Sequence, residues 1–230
     1  MQIDLTGKRA IVTGASRGLG AAIVARMREA GAEVFAPSRE QYDLRTHGTP
    51  SAIFRDCGPI DILINCAGVQ GPVGAVDGNP WTNWQRCLTV NLMAPCELSA
   101  MAIAQWKATK TPGSIINISG GGACNPRPGY SAYATSKAGL VRFSETIAEE
   151  CREYGIRVNC VAPGNLGTMD GKPAERDLLT TKNATECVCW LASDASRPIT
   201  GKLISAVHDP WPELERAKSP DMYTLRRIVP

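Results

Sequence analysis

Residues 8–31 read KRAIVTGASRGLGAAIVARMREAG: a β-branched run, a turn with three glycines, then an amphipathic stretch. A strand that passes through a short turn straight into a helix does not close a hairpin; its next strand lies parallel to it. Further short runs follow, EVFAPS, DILINCAG, SIINISG and IRVNCVAPG, separated by helical patterns. The one starting at Ser131 carries Leu140, Val141 and Ile147 on its apolar side. This alternation predicts an α/β fold, a doubly wound parallel sheet between two helical layers. With 230 residues, 43% hydrophobic, the chain can build one sizeable core but not two ordinary domains. A single domain is expected over residues 1–207. A proline-bearing tail, 208–230, would then dock on that domain or on a neighbouring subunit.

In TGASRGLG, Gly14, Gly18 and Gly20 alternate with Ser16, Arg17 and Leu19 between strand and helix. Such glycines let backbone N–H groups approach a pyrophosphate at the positive end of the helix, so a dinucleotide cofactor is expected. The second strand ends in APSRE, where a Rossmann-like fold selects its cofactor at the adenosine ribose. An acidic residue there suits a free 2′-hydroxyl and an arginine suits a 2′-phosphate. Ser38 and Arg39 occupy that edge, with Arg17 near, so NADP(H) is favoured and NAD(H) is the alternative.

Tyr133 and Lys137 stand four places apart in YSAYATSK, one helical turn, which sets a phenol and an ammonium on one face. A hydroxyl facing the same pocket is expected at Ser119, across a glycine-rich loop, with Ser131 as the alternative; Ser131 stands where a helix cap is the ordinary role. Other chemistries have less support. The nine cysteines are odd in number and scattered, the only close pair is C-x-C at Cys187 and Cys189, and His47 and His208 are isolated. Neither a disulfide framework, a metal site nor a histidine base is expected. Net charge is +3 without a basic stripe, which argues against nucleic acid. No apolar stretch reads as bilayer-spanning and no leader pattern opens the chain, so a cytoplasmic protein with no membrane partner is expected.

These motifs in this order resemble the classical branch of the short-chain dehydrogenase/reductase family over residues 5 to about 207: TGASRGLG, NCAG at 65–68, Asn91 in TVNLM, Tyr133-x-x-x-Lys137, and PGNLGT from Pro163 to Thr168. The resemblance implies hydride transfer between a nicotinamide cofactor and a secondary alcohol or its ketone, on a small-molecule substrate. It makes Tyr133 the acid or base and Lys137 the group that assists it and holds the nicotinamide ribose, while Asn91 anchors a water that links the lysine to solvent. Asn65, Ala67 and Gly68, after the strand counted as the fourth, would shape the adenosine side. Asp43 and Leu44 would approach the adenine, and Pro163, Gly164, Leu166 and Thr168 the carboxamide. A homodimer or homotetramer is also implied.

The chain departs from the family pattern in several places. The usual serine lies thirteen residues before the tyrosine, where Gly120 stands; Ser119 is fourteen before. Either the loop has gained a residue, which favours Ser119, or the serine is missing. The chain after the second strand is short enough that the helix expected there is lost and one sheet face thinly covered. The loop after Thr168 is brief. In the tail, Trp211, Tyr223 and Leu225 suggest docking on an apolar surface. Arg127 could aim a guanidinium at a substrate carboxylate or phosphate. The alternative function is a catalytically inactive NADP-binding sensor or scaffold.

Overall fold

The computed structural model describes residues 3–166, 178–216 and 222–225. Six strands, β1 (Arg9–Val12), β2 (Glu33–Phe35), β3 (Ile62–Asn65), β4 (Ser114–Ile118), β5 (Arg157–Ala162) and β6 (Leu203–Ser205), form one sheet. All pairs are parallel, in the order β2-β1-β3-β4-β5-β6. Ala10 registers with Ile62, Ile64 with Ile116, and Asn117 with Cys160. The connecting helices are α1 (Gly18–Glu29), α2 (Thr49–Cys57), α3 (Trp81–Leu88), α4 (Ala94–Thr109), α5 (Ser131–Glu150) and α6 (Leu178–Ala192).

The strands are apolar on both faces because both are covered. Ile62, Ile64, Ile116 and Ile118 pack with Ile23 and Met27 of α1 and Val188 and Leu191 of α6. The alternate residues, Leu63 and Ile115, meet Ile53 of α2, Leu98 and Trp106 of α4, and Ile147 of α5. Trp106 donates its indole N–H to the Ile60 carbonyl at 2.5 Å. Gly113 lies flat on that ring, so close that a Cβ would come within 2.2 Å. Arg157, at the start of β5, donates to the carbonyls of Leu191, Ser193 and Ser196, closing the C-terminal end of α6 with a cation.

Three expectations need correction. A helix does follow the second strand: Gly48, at φ 81°, turns the chain, Pro50 sits in the first turn, and Ile53 and Cys57, four apart, are buried. That sheet face is therefore covered. The NCAG segment follows the third strand of six, not a fourth. Residues Trp81–Thr109 form one helical rod of 29 residues, α3 and α4 joined by a π-turn, with mean hydropathy 1.4 in its most apolar window. By length and composition this rod could cross a membrane. Its apolarity is partly accounted for by the core, since Leu98, Ala102 and Trp106 are buried.

The described part of the tail docks on its own domain. The Tyr223 carbonyl accepts from Leu203 N–H at 2.7 Å, alongside β6, and the Trp211 ring lies 5.6 Å from Trp190. Leu225 packs against Ala123, Val141 and Cys160; Arg142 bonds its carbonyl and Glu145 accepts its N–H.

Burial pushes the thiols of Cys160 and Cys189 up to about 12, and that of Cys187 upward also. A thiol that ionises near 9 only when unfolded contributes stability that is full below pH 9 and lost as pH rises toward 12. Buried Lys137, held at about 8 against an ordinary 10.5, acts in the opposite sense between those values. The denaturation midpoint should fall from pH 9 to 10.5, and fall less in the double variant Cys187→Ala with Cys189→Ala. Equal slopes would exclude the thiols as the cause.

Candidate active site

Strand order reverses between β1 and β3, one leading outward to β2 and the other inward to β4. A cleft of about 1480 Å³ opens at the C-terminal ends of β1, β3, β4 and β5. Its phosphate-sized cradle is the turn after β1. Gly14 has φ 70°, and a Cβ there would lie 2.6 Å from Ala67 Cα; one on Gly20 would lie 2.3 Å from the Gly14 carbonyl oxygen. The Thr13 hydroxyl accepts the N–H groups of Cys66 and Ala67, both at 3.1 Å, and fastens the two walls together. No side chain caps the N-terminus of α1. Its first N–H groups therefore remain available to an anion, and the turn fits a pyrophosphate. Ser16, Arg17, Gly18 and Leu19 complete this wall.

At the end beside β2, Arg39, Asp43 and Leu44 line the cleft. Arg45, unforeseen, lines it too and clamps the Asp43 carboxylate, whose pKa is held down to about 2 by the guanidinium and backbone hydrogen bonds from Arg45. Ser38 is a correction: it does not line the cleft, and its hydroxyl accepts from Gln41 N–H within the turn. Asn65 is another. Its side chain is buried beneath the sheet's edge of the cleft, donating to Asn117 Oδ1 at 2.8 Å, because a strand residue alternates away from the opening. Ala67, Gly68, Pro163, Gly164 and Leu166 line the cleft; Thr168 lies outside the described residues.

Tyr133 and Lys137 both reach the cleft from α5, almost fully buried. Lys137 Nζ donates to the Ile118 carbonyl at 2.6 Å and lies 5.9 Å from the Tyr133 ring centre. Burial lowers its pKa to about 8. Asn91 sits in the π-turn and does not line the cleft. Its amide accepts from Val69 N–H and donates to Val69 C=O, both at 2.8 Å, and also donates to Ser136, whose hydroxyl bonds the Tyr133 carbonyl. It joins the loop after β3 to α5.

Ser119 does not meet the Tyr133 hydroxyl. Its Oγ is buried with no hydrogen-bond partner, because its N–H continues the β4–β5 ladder and fixes the side-chain direction. Gly120 is the residue that faces the phenol: a Cβ there would lie 2.8 Å from the Tyr133 oxygen. Thus the thirteen-residue spacing holds in space, and a glycine stands at that position. Ser131, the alternative, accepts from Trp84 Nε1 at 3.3 Å. The Arg127 guanidinium stacks 4.0 Å from the Tyr130 ring centre and 5.5 Å from that of Tyr133, lining the cleft.

A family model described as short chain dehydrogenase matches residues 41–178. The chain is 31% identical to 3beta-hydroxysteroid dehydrogenase 1 of Eggerthella lenta, over 87% of this chain and 92% of that one. Among solved structures it superposes on 4-hydroxyisoleucine dehydrogenase complexed with NADH and succinate, with TM-score 0.76 and 27% identity, covering 85% of this chain and 96% of the other. It also superposes on landomycin C-6 ketoreductase LanV with bound NADP and rabelomycin, with TM-score 0.74 and 26% identity, covering 88% and 96%.

Removing a buried hydroxyl that has no partner relieves a cost, whereas removing Asn91 strands the Val69 backbone. Ser119→Ala should leave the denaturation midpoint unchanged or raise stability by about 1 kcal/mol, and Asn91→Ala should lower it by about 2 kcal/mol. A destabilised Ser119→Ala would contradict this geometry.

Proposed function

Because this chain belongs to the short-chain dehydrogenase family and so to the oxidoreductases, we propose that it interconverts a secondary alcohol and a ketone with NADP(H), Tyr133 acting as acid or base. The observation that carries this reading is the burial of a phenol and an ammonium together at the cleft wall, opposite a turn that fits pyrophosphate. A fold that only binds dinucleotide has no physical need to bury that pair.

In this reading the turn from Gly14 to Gly20 holds the pyrophosphate. Arg17 and Arg39 receive the adenosine 2′-phosphate, while Asp43 and Leu44 flank the adenine. Ala67 and Gly68 shape that side, and Pro163, Gly164 and Leu166, with Thr168, hold the carboxamide. When bound, the nicotinamide supplies or accepts a hydride. In the direction of reduction, Tyr133 passes its phenolic proton to the substrate oxygen, and the ammonium of Lys137 stabilises the phenolate left behind. Asn91 acts as a positioning residue through Val69 and Ser136. With glycine at 120, no side chain projects from that position toward the phenol; Ser119 lines the same cleft, its buried hydroxyl without a hydrogen-bond partner.

The protein works on a small carbonyl or alcohol compound in the cytoplasm, as a homodimer or homotetramer. The rod Trp81–Thr109 supports assembly: its apolar window is only 44% buried, and Trp81 and Met93 project outward. The glycine facing Tyr133 favours a second reading, a cofactor-binding sensor without turnover.

Tyr133→Phe should lower NADPH-dependent ketone reduction at least 100-fold with cofactor affinity kept. Unchanged turnover in this variant would sink the assignment, and wild-type protein that binds NADPH but reduces no ketone in a broad screen would favour the sensor. In wild type, kcat/KM for reduction should fall as pH rises through about 8, where Lys137 loses its proton. A flat profile to pH 10 would contradict the role given to that ammonium.

A further inference from the structure

One side of the Tyr133 phenol is formed by glycine backbone. A Cβ on Gly120 would lie 2.8 Å from the phenol oxygen and one on Gly122 3.6 Å from the ring, so the turn between β4 and α5 comes close enough to be a wall of its pocket. Three consecutive glycines, Gly120 to Gly122, make that wall soft, because glycine has more backbone freedom to lose than any other residue. The turn's own bonds are local: Ala123 N–H meets Gly120 C=O at 2.9 Å and Asn125 N–H meets Gly121 C=O at 3.1 Å. They set its shape but not its place. Of the described residues 121–130 only Ala123 is buried, so seating the turn falls to that one side chain.

Ala123 packs with Val141 of α5 and Cys160 of β5, and Leu225 of the tail closes against this cluster. Leu225 is gripped at both backbone atoms from α5. Glu145 accepts its N–H at 2.5 Å, Arg142 donates to its carbonyl, and the two charged side chains pair at 2.6 Å. Just before it, Tyr223 C=O accepts from Leu203 N–H at 2.7 Å and Met222 C=O from Lys202 Nζ at 2.9 Å. A terminus that merely trails over a surface is poorly tied; this one is fixed in register. The helix that grips it also carries Tyr133 and Lys137. A chain of contacts therefore runs from α5 through Leu225 and Ala123 to the turn that faces the phenol.

Resting on the function proposed above, we propose that Leu225 is a positioning residue of the active site: the docked tail is a latch that seats the Gly120–Ala123 turn against Tyr133. Undocking it loosens the reacting end of the cleft. The pyrophosphate cradle is left intact, since Thr13 and the close approaches of Gly14 and Gly20 hold it, and the bonds of Leu225 do not reach there.

The test uses full-length protein carrying Leu225→Asp, which sets a carboxylate beside Glu145 and against apolar Ala123. Leu225→Ala removes the contact without adding charge and should act in the same direction, and Leu225→Met should restore wild-type behaviour. In the aspartate variant, hydrogen exchange followed by mass spectrometry should quicken about tenfold in residues 119–130 and stay unchanged in residues 13–20. With 2,3-butanedione, or the best ketone of the screen above, kcat should fall about tenfold at unchanged KM, and NADPH affinity by nicotinamide fluorescence should be kept. Unchanged exchange in 119–130, faster exchange in both segments, or local loosening with unchanged kcat each overturns the proposal. If wild type reduces no ketone, the function fails and exchange alone decides the latch: quickening confined to 119–130 and reversed in Leu225→Met supports it, and any other pattern overturns it.

Discussion

A buried ammonium bonded to a strand-end carbonyl holds this site together. Lys137 lies inside the protein with its Nζ on Ile118 C=O, at the point where β4 stops and the loop to α5 begins. Burying a charge is costly, and one carbonyl does not offset it. The fold accepts that cost here, and the consequence is local: the pKa falls to about 8 and a positive charge stays close to the Tyr133 ring. The bond also ties α5 to the sheet, so the phenol's place is set by the register of β4 and by the helix together.

The sheet supplies the other constraint. Parallel strands deliver the loops that leave them to one edge, and reversal of order between β1 and β3 leaves a gap there that helices do not fill. The gap's walls approach closely only because Gly14 and Gly20 lack side chains, and Thr13 locks the walls in place. Asn91 does similar work farther along. Its amide matches the Val69 backbone in both directions, so the loop after β3 cannot shift without breaking two hydrogen bonds. The cleft is thus made rigid by backbone contacts, and its chemistry comes from few side chains.

Much of this was legible in the sequence, where the cause was local. Strand runs such as DILIN and SIINI declare a doubly covered sheet, and TGASRGLG declares a strand, turn and helix. What was not legible depended on contacts across the chain. The helix α2 has nine residues and buries few side chains, too weak a pattern to stand out beside its glycine and proline. Ser119 and Gly120 could be told apart only by knowing where the β4–β5 ladder ends, since one step along a strand reverses the side chain. Asn65 failed for the same reason. Arg45 gave no signal, because a surface arginine looks the same in sequence whether or not a cleft runs beneath it.

The central claim is that the cleft takes a nicotinamide dinucleotide with its adenosine end beside Arg39. Titration of the purified protein with NADPH and with NADH, followed by nicotinamide fluorescence in wild type and Arg39→Ala, tests it most directly. The account predicts saturable binding of both, tighter for NADPH, with the difference lost in the variant. Absence of saturable binding by either dinucleotide would contradict it.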